Sequence, residues 1–247
     1  MKLTELDPTV DFDSINYSSV LNPVLWKGDV LHSDVEEILR KNADSFIEFL
    51  AIDRNVVLDI VITGSSANYN WTKYSDVDLH IIVDMDALQS QCEAFIEEYL
   101  DSKRRLWNLQ HDVQIKGHQI ECYPESNKEV HISSGVYSLM QNTWIKEPKY
   151  DSELTWDSSA VKIKATDLYH QIDDIVKSGS EDTAAIEKIK DKIVKMRRNG
   201  LASKGEFSVE NLAFKVLRNS GVLEQLFSCY TDSIDSSLSL ESLFNED

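Results

Sequence analysis

The chain has 247 residues with 25 lysines and arginines against 43 aspartates and glutamates, a formal charge of −18. A surface that acidic on average repels polyanions, which argues against binding to long duplex DNA. No run approaches the roughly 18 consecutive apolar residues of a membrane span, the start MKLTELDPTVDFD has no apolar signal region, and Cys92, Cys122 and Cys229 show no C-x-x-C spacing; neither a disulfide framework nor a zinc site is indicated, and a cytoplasmic protein is expected.

Residues 1–30 read as an irregular segment, with Pro8, Pro23 and an LNPVLW patch lying against the adjoining domain. Ser33 and Glu36 have capping-box spacing ahead of a helix that carries Val35, Ile38, Leu39, Ala43, Phe46, Ile47 and Leu50 on one stripe. Apolar alternation then predicts strands at Val56–Thr63 and Val77–Val83, a helix over Ala87–Leu106, and shorter strands at Asp112–Ile115, Gln119–Tyr123 and Val130–Ile132. A helix followed by mixed strands around a crossover helix is the order of an α/β (α+β) domain, here residues 31–150.

Beyond Pro148 the strand signals stop. Ser159–Val176, Thr183–Arg198, Val209–Asn219 and Gly221–Tyr230 show helical spacing, with Gly179, Gly200, Gly205 and Gly221 as the breaks, which predicts a helical domain over 151–230. The Ser-rich, acidic stretch 231–247 reads as a loosely attached tail. Charge is uneven along this half: Ala185 to Arg218 holds nine basic residues against four acidic ones, and no Lys or Arg follows Arg218. Within that stretch Arg197, Arg198, Lys204 and Lys215 are candidates for contacts to a triphosphate or a short RNA end, against the plainer reading of a solvated helix face.

The densest chemistry lies in VITGSSANYNWTKYSDVDLHIIV, from Val61 to Val83. On a strand Asp76 and Asp78 project to one side while Val77, Leu79 and Ile81 project to the other. Paired carboxylates at the mouth of an apolar strand repel each other unless a cation sits between them, and magnesium, a hard ion that takes carboxylate and phosphate oxygens, suits such a pair. Upstream, Gly64 ends the apolar run where a backbone must approach something closely. Ser65 and Ser66 open a short helical turn whose N–H groups and hydroxyls can cradle phosphates. Lys73 and Tyr74 in the spacer are candidates for a phosphate or base contact, with a solvated loop as the alternative.

The stretch GSSANYNWTKYSDVD resembles the signature of the nucleotidyltransferase superfamily typified by DNA polymerase β: Gly-Ser, a spacer, then Asp-h-Asp-h-h, with h apolar. That resemblance implies an α/β palm with a mixed sheet followed by a helical domain, and an enzyme that transfers a nucleotide with the help of Mg²⁺, two ions, or Mn²⁺ in their place. It implies that Gly64 and Ser65 hold the tail of an ATP-like triphosphate and that Asp76 and Asp78 bind the metal. It also calls for a third carboxylate on a neighbouring strand, to ligate the catalytic metal and take the proton of the attacking hydroxyl. Glu121, in HQIECY, matches best, with Asp112, in HDVQI, as runner-up. His80 shares the face of Asp78 and is expected to pack or hydrogen-bond beneath the site.

The phrases LNPVLW, ANYNWTKYSDVDLHIIVD and GEFSVENLAFKVLR further resemble nucleotidyltransferase-like proteins of tailed bacteriophages, which implies the cytoplasm of an infected bacterium. The expected reaction moves a nucleoside monophosphate from a nucleoside triphosphate to an acceptor hydroxyl on an RNA end, a small molecule, a protein or a second nucleotide. A catalytically silent nucleotide sensor or a phage accessory protein that keeps the fold is the alternative.

Overall fold

The structure, a computed structural model, describes residues 11–12, 15–88, 93–128, 133–178 and 183–239. The chain divides into two units, Asn16–Ser152 and Glu153–Asp247, the segment Met1–Ile15 grouping with the second.

The first unit is built on a six-stranded sheet. Strands β1 (Trp26–Lys27) and β2 (Val30–Leu31) form a small antiparallel ribbon, helix α1 spans Ser33–Leu50, and β3 (Val57–Thr63) and β4 (Val77–Val83) follow. Helix α2 (Glu93–Gln110), β5 (Gln114–Ile115), β6 (His118–Ser126), β7 (Val136–Ser138) and β8 (Thr143–Lys146) complete it. The order in the large sheet is β5-β6-β4-β3-β7-β8, and β4 with β6 is its parallel pair. Parallel neighbours need a crossover, which α2 supplies.

Period-two burial explains why these strands form. Along β4, Val77, Leu79, Ile81 and Val83 are buried in the core, and the residues between them face the other way. Helices α1 and α2 cover the apolar face, α1 through Val35, Leu39, Ala43, Phe46, Ile47 and Leu50. They meet at Phe46 and Trp107, whose ring centroids are 5.4 Å apart.

Several expectations change. The capping box of α1 does not form: His32, not Ser33, is the N-cap and offers no side-chain bond, and Glu36 is held by Arg40 one turn on, Nε to Oε1 at 2.9 Å. Ile38 falls off the buried stripe at 38% exposure. Strand β1 lies inside the segment read as irregular and β2 straddles its end, and β7 and β8 are too short to show alternation. The strand expected at Val130–Ile132 lies outside the described residues.

The second unit is helical, with α3 (Ser158–Ser178), α4 (Thr183–Lys204), α5 (Val209–Asn219) and α6 (Val222–Leu238). One apolar cluster centres on Ile172, Ile186, Ile193 and Leu226, and another on Val161, Ala165, Leu212, Ala213 and Val216, against which Phe12 and Ile15 pack. Helix α6 runs on past Tyr230 to Leu238, into the Ser-rich stretch. There Thr231 and Ser239 return their hydroxyls to the carbonyls of Phe227 and Asp235, and Ser237 to that of Ile234, so the helix carries these polar residues.

Gly200 does not end α4. It is buried inside the helix, where a Cβ would lie 2.5 Å from Cβ of Glu210 and 2.7 Å from Oγ of Ser208. Ser208 is the N-cap of α5 and accepts the Asn211 N–H at 3.2 Å, so the missing side chain lets α4 press against a helix start. Replacing a mid-helix glycine by alanine ordinarily stabilises by about 0.5–1 kcal/mol. Here overpacking, typically about 1–3 kcal/mol, opposes that gain. Gly200→Ala is therefore expected to lower stability in urea unfolding, and a raised midpoint would show that α5 does not approach this closely.

Candidate active site

The β4 alternation sends Asp78 and His80 to the face opposite the core, with Asp76 just ahead of the strand. In the parallel register of β4 and β6, Asp78 stands beside Glu121, and on its other side Asp78 pairs with Thr63 at the end of β3. One carboxylate oxygen from each of Asp76, Asp78 and Glu121 lies within 4.8 Å of the others, all three residues being partly buried. Among the described residues no other trio of His, Cys, Asp or Glu gathers this closely. Three carboxylates in a half-buried recess repel one another, and an all-oxygen donor set of this kind fits a hard divalent cation such as magnesium or manganese.

Gly64 makes the arrangement possible. Its φ of 71° lies in the region that side chains disfavour, and a Cβ there would sit 1.8 Å from Oδ2 of Asp78. The glycine is needed twice, for the turn and for the carboxylate that lies against it. Residues Ser65–Ala67 form a single 3₁₀ turn. The Ser65 hydroxyl donates to Oγ of Ser75 at 2.8 Å. Ser66 is fully buried and its hydroxyl donates to the carbonyl of Asp76, which puts that side chain to internal use. The loop at 133–135 closes on the turn: Gly64 N–H donates to Oγ of Ser133 at 3.2 Å, and a Cβ on Gly135 would meet the Ala67 carbonyl at 1.9 Å.

Two side chains that sequence reading left without a role pin the two ends of the spacer. Trp26, buried at the end of the LNPVLW patch, donates its indole N–H to the carbonyl of Ser66 at 2.8 Å. His118, buried at the start of β6, has Nδ1 at 2.6 Å from the carbonyl of Ser75 and Nε2 at 2.9 Å from Nδ2 of Asn22. A carbonyl only accepts and the Asn22 amide nitrogen only donates, so His118 carries its proton on Nδ1 and accepts at Nε2. No local pattern announces such bonds, because the partners lie 40 or more residues apart.

Tyr123 also belongs to the site. Its hydroxyl donates to Oε2 of Glu121, and its ring stacks on His80, with centroids 4.8 Å apart and planes 19° from parallel. Burial, then the bond to Glu121, then the nearby charges of Glu121, Asp78 and Asp76 hold the phenol far above its ordinary value, so it stays a donor. His80 in turn sets Nδ1 at 2.6 Å from Oε2 of Glu125. Period two puts Tyr123 on the face of Glu121, which is the one signal the sequence carries for it.

The remaining candidates lie each within its own unit. Asp112 is exposed, within 3.4 Å of Nε2 of Gln114, and is not in the trio. Lys73 is exposed in the spacer, with Nζ 4.8 Å from the centroid of Tyr74. Arg197, Arg198 and Lys204 lie exposed on α4 in the second unit, the Arg197 guanidinium 4.3 Å from the centroid of Phe214.

Gly64→Ala adds a Cβ where the Asp78 carboxylate lies and strains a positive φ, each of which is destabilising. We expect a loss of about 1–3 kcal/mol in denaturant unfolding, the range of overpacking. Divalent-cation stabilisation of the folded protein is expected to disappear with it. A Gly64→Ala protein that is still stabilised by Mg²⁺ to the wild-type extent would refute the coupling of the turn to Asp78.

Residues 43–139 match the family model for the nucleotidyltransferase domain. Among solved structures the chain is similar to the spectinomycin adenyltransferase AAD(9) from Enterococcus faecialis, determined with ATP and spectinomycin, at 12% identity and a TM-score of 0.24, over 80% of this chain and 98% of that one. It is also similar to the STING-associated CdnE c-di-GMP synthase from Capnocytophaga granulosa, at 12% identity and a TM-score of 0.22, over 88% of this chain and 72% of that one. No match is found among curated proteins. The matched span runs from within α1 through β7 and contains Gly64, Asp76, Asp78 and Glu121.

Proposed function

We propose that this protein is a magnesium-dependent nucleotidyltransferase that moves a nucleoside monophosphate from a nucleoside triphosphate to an acceptor hydroxyl and releases pyrophosphate. The observation that carries the reading is the gathering of Asp76, Asp78 and Glu121 within 4.8 Å beside a glycine whose missing Cβ makes room for Asp78. Those three side chains would hold the divalent cation, Mg²⁺ or Mn²⁺. When bound, it supplies charge stabilisation to the transferring phosphoryl group and to the attacking and leaving oxygens.

The protein's own groups do the rest. The acceptor oxygen forms a bond to the α-phosphorus as the bond from that phosphorus to the α–β bridging oxygen breaks. Pyrophosphate leaves with the electron pair, and Glu121 takes the acceptor's proton. The turn at Gly64, Ser65 and Ser66 orients the triphosphate tail through the backbone N–H groups of Ser65 and Ser66, and Lys73 adds positive charge from the spacer. The exposed bases Arg197, Arg198 and Lys204 contribute affinity for a polyanionic substrate. The resemblance of LNPVLW, ANYNWTKYSDVDLHIIVD and GEFSVENLAFKVLR to phage proteins makes an infected bacterial cytoplasm the proposed setting.

Incubation with each of four labelled triphosphates and a bacterial extract, followed by identification of whatever becomes labelled, tests the activity and names the acceptor class. Triphosphate binding without pyrophosphate release would instead support a silent sensor.

Asp76→Ala and Asp78→Ala are each expected to abolish transfer with the fold intact. Removing either relieves carboxylate repulsion, so the metal-free melting temperature should hold or rise while the Mg²⁺-induced increase vanishes. Wild-type turnover in either variant would exclude the mechanism. Glu121→Gln is expected to keep triphosphate affinity and to lose about 10²–10⁴-fold in turnover, the usual contribution of a general base. Asp112→Asn is expected to behave as wild type. The reverse pattern would show that the third carboxylate is Asp112.

A further inference from the structure

We propose that Tyr123 is the positioning residue of the carboxylate trio: it orients Glu121 for a divalent cation, and His80 and Glu125 hold Tyr123 in place. The inference rests on the reading of Asp76, Asp78 and Glu121 as metal ligands.

The three carboxylates do not reach the recess on equal terms. Asp78 has two side-chain torsions and lies against the backbone of Gly64, which limits where its oxygens can go. Glu121 has three, and fixing a long side chain of this type costs rotamer entropy. Its fixed point is instead the hydroxyl of Tyr123, two residues along the same face of β6, which donates to Oε2. A carboxylate can only accept, so the direction of the bond is settled. That oxygen is thereby anchored, which limits how the carboxylate can turn toward a cation.

The strand register supplies the support. Asp78 and Glu121 form one rung of the parallel pair β4–β6, and His80 and Tyr123 form the rung two residues further on, with the same sides facing out. The ring of His80 therefore stacks on that of Tyr123, and the Arg104 guanidinium lies 5.4 Å from the Tyr123 centroid. Glu125, two residues beyond Tyr123, holds Nδ1 of His80 at 2.6 Å. The ligand rung is thus backed by an aromatic rung, and that by a carboxylate. Groups that orient a ligating carboxylate from outside the ligand set typically govern metal affinity by about 10–100-fold.

The test is Mn²⁺ binding to the full chain without triphosphate, read by the electron paramagnetic resonance of free Mn²⁺, for the wild type, Tyr123→Phe, Glu121→Gln and the double variant. We expect Tyr123→Phe to raise the Mn²⁺ dissociation constant roughly 10–100-fold. In the Glu121→Gln background the same substitution should change nothing further, because Tyr123 acts through Glu121. A merely structural tyrosine would alter the metal-free melting temperature and leave the dissociation constant of the folded protein where it was. Wild-type affinity in Tyr123→Phe beside weakened affinity in Glu121→Gln overturns the inference and spares the reading of the trio. Wild-type affinity in Glu121→Gln overturns both, and an equal loss from Tyr123→Phe in the two backgrounds overturns the route through Glu121. Should Tyr123→Phe fail to fold, His80→Ala removes the supporting ring but keeps the hydroxyl. Weaker Mn²⁺ binding is expected there, and an unchanged constant refutes the proposal.

Discussion

The Asp78 carboxylate occupies the space that a side chain at residue 64 would fill, and the site is arranged around that contact. It fixes how β3 ends, how the 3₁₀ turn after it is aimed, and where one of three mutually repelling carboxylates must stay. Parallel pairing then sets Glu121 beside Asp78. A cation placed among the three oxygens offsets a repulsion that folding alone would leave uncompensated. An acidic chain of net charge −18 makes this more telling, since nothing in the average surface field favours another carboxylate here.

Holding that arrangement takes more than the strands. The turn is fastened by Trp26 to the segment ahead of α1, and its Ser66 hydroxyl is spent on the Asp76 carbonyl. The far end of the spacer is fastened by His118 and Asn22. A buried hydrogen bond contributes only about 0.5–1.5 kcal/mol net, but a partner left unsatisfied costs about 1–3 kcal/mol, so these links act mainly by penalising any other position of the loop. Residues 16–32, featureless by periodicity, are in this sense part of the site.

Legibility followed the range of the interaction. Strand β4 runs over the same residues that apolar alternation marks, and the shared face of Asp76, Asp78 and Glu121 follows from a period of two and a parallel neighbour. The apolar stripe of α1 is likewise a local pattern. What escaped depends on partners far along the chain. Trp26 and His118 matter through single bonds to carbonyls 40 and 43 positions away. Gly200 reads as a helix break because glycine usually is one, whereas its absent Cβ is needed by α5. Strands β7 and β8, of three and four residues, exist because β3 offers an edge to β7 and β7 in turn offers one to β8, and no window that short carries a period.

In the proposed reaction Asp76, Asp78 and Glu121 together hold the divalent cation that nucleotidyl transfer requires. Anomalous diffraction from crystals grown with Mn²⁺ and a non-hydrolysable triphosphate tests it most directly. Manganese peaks ligated by oxygens of all three carboxylates and of the triphosphate are expected, with the triphosphate tail against the turn at Gly64 and Ser65. A triphosphate bound elsewhere, or manganese that leaves these three side chains unligated, would contradict it.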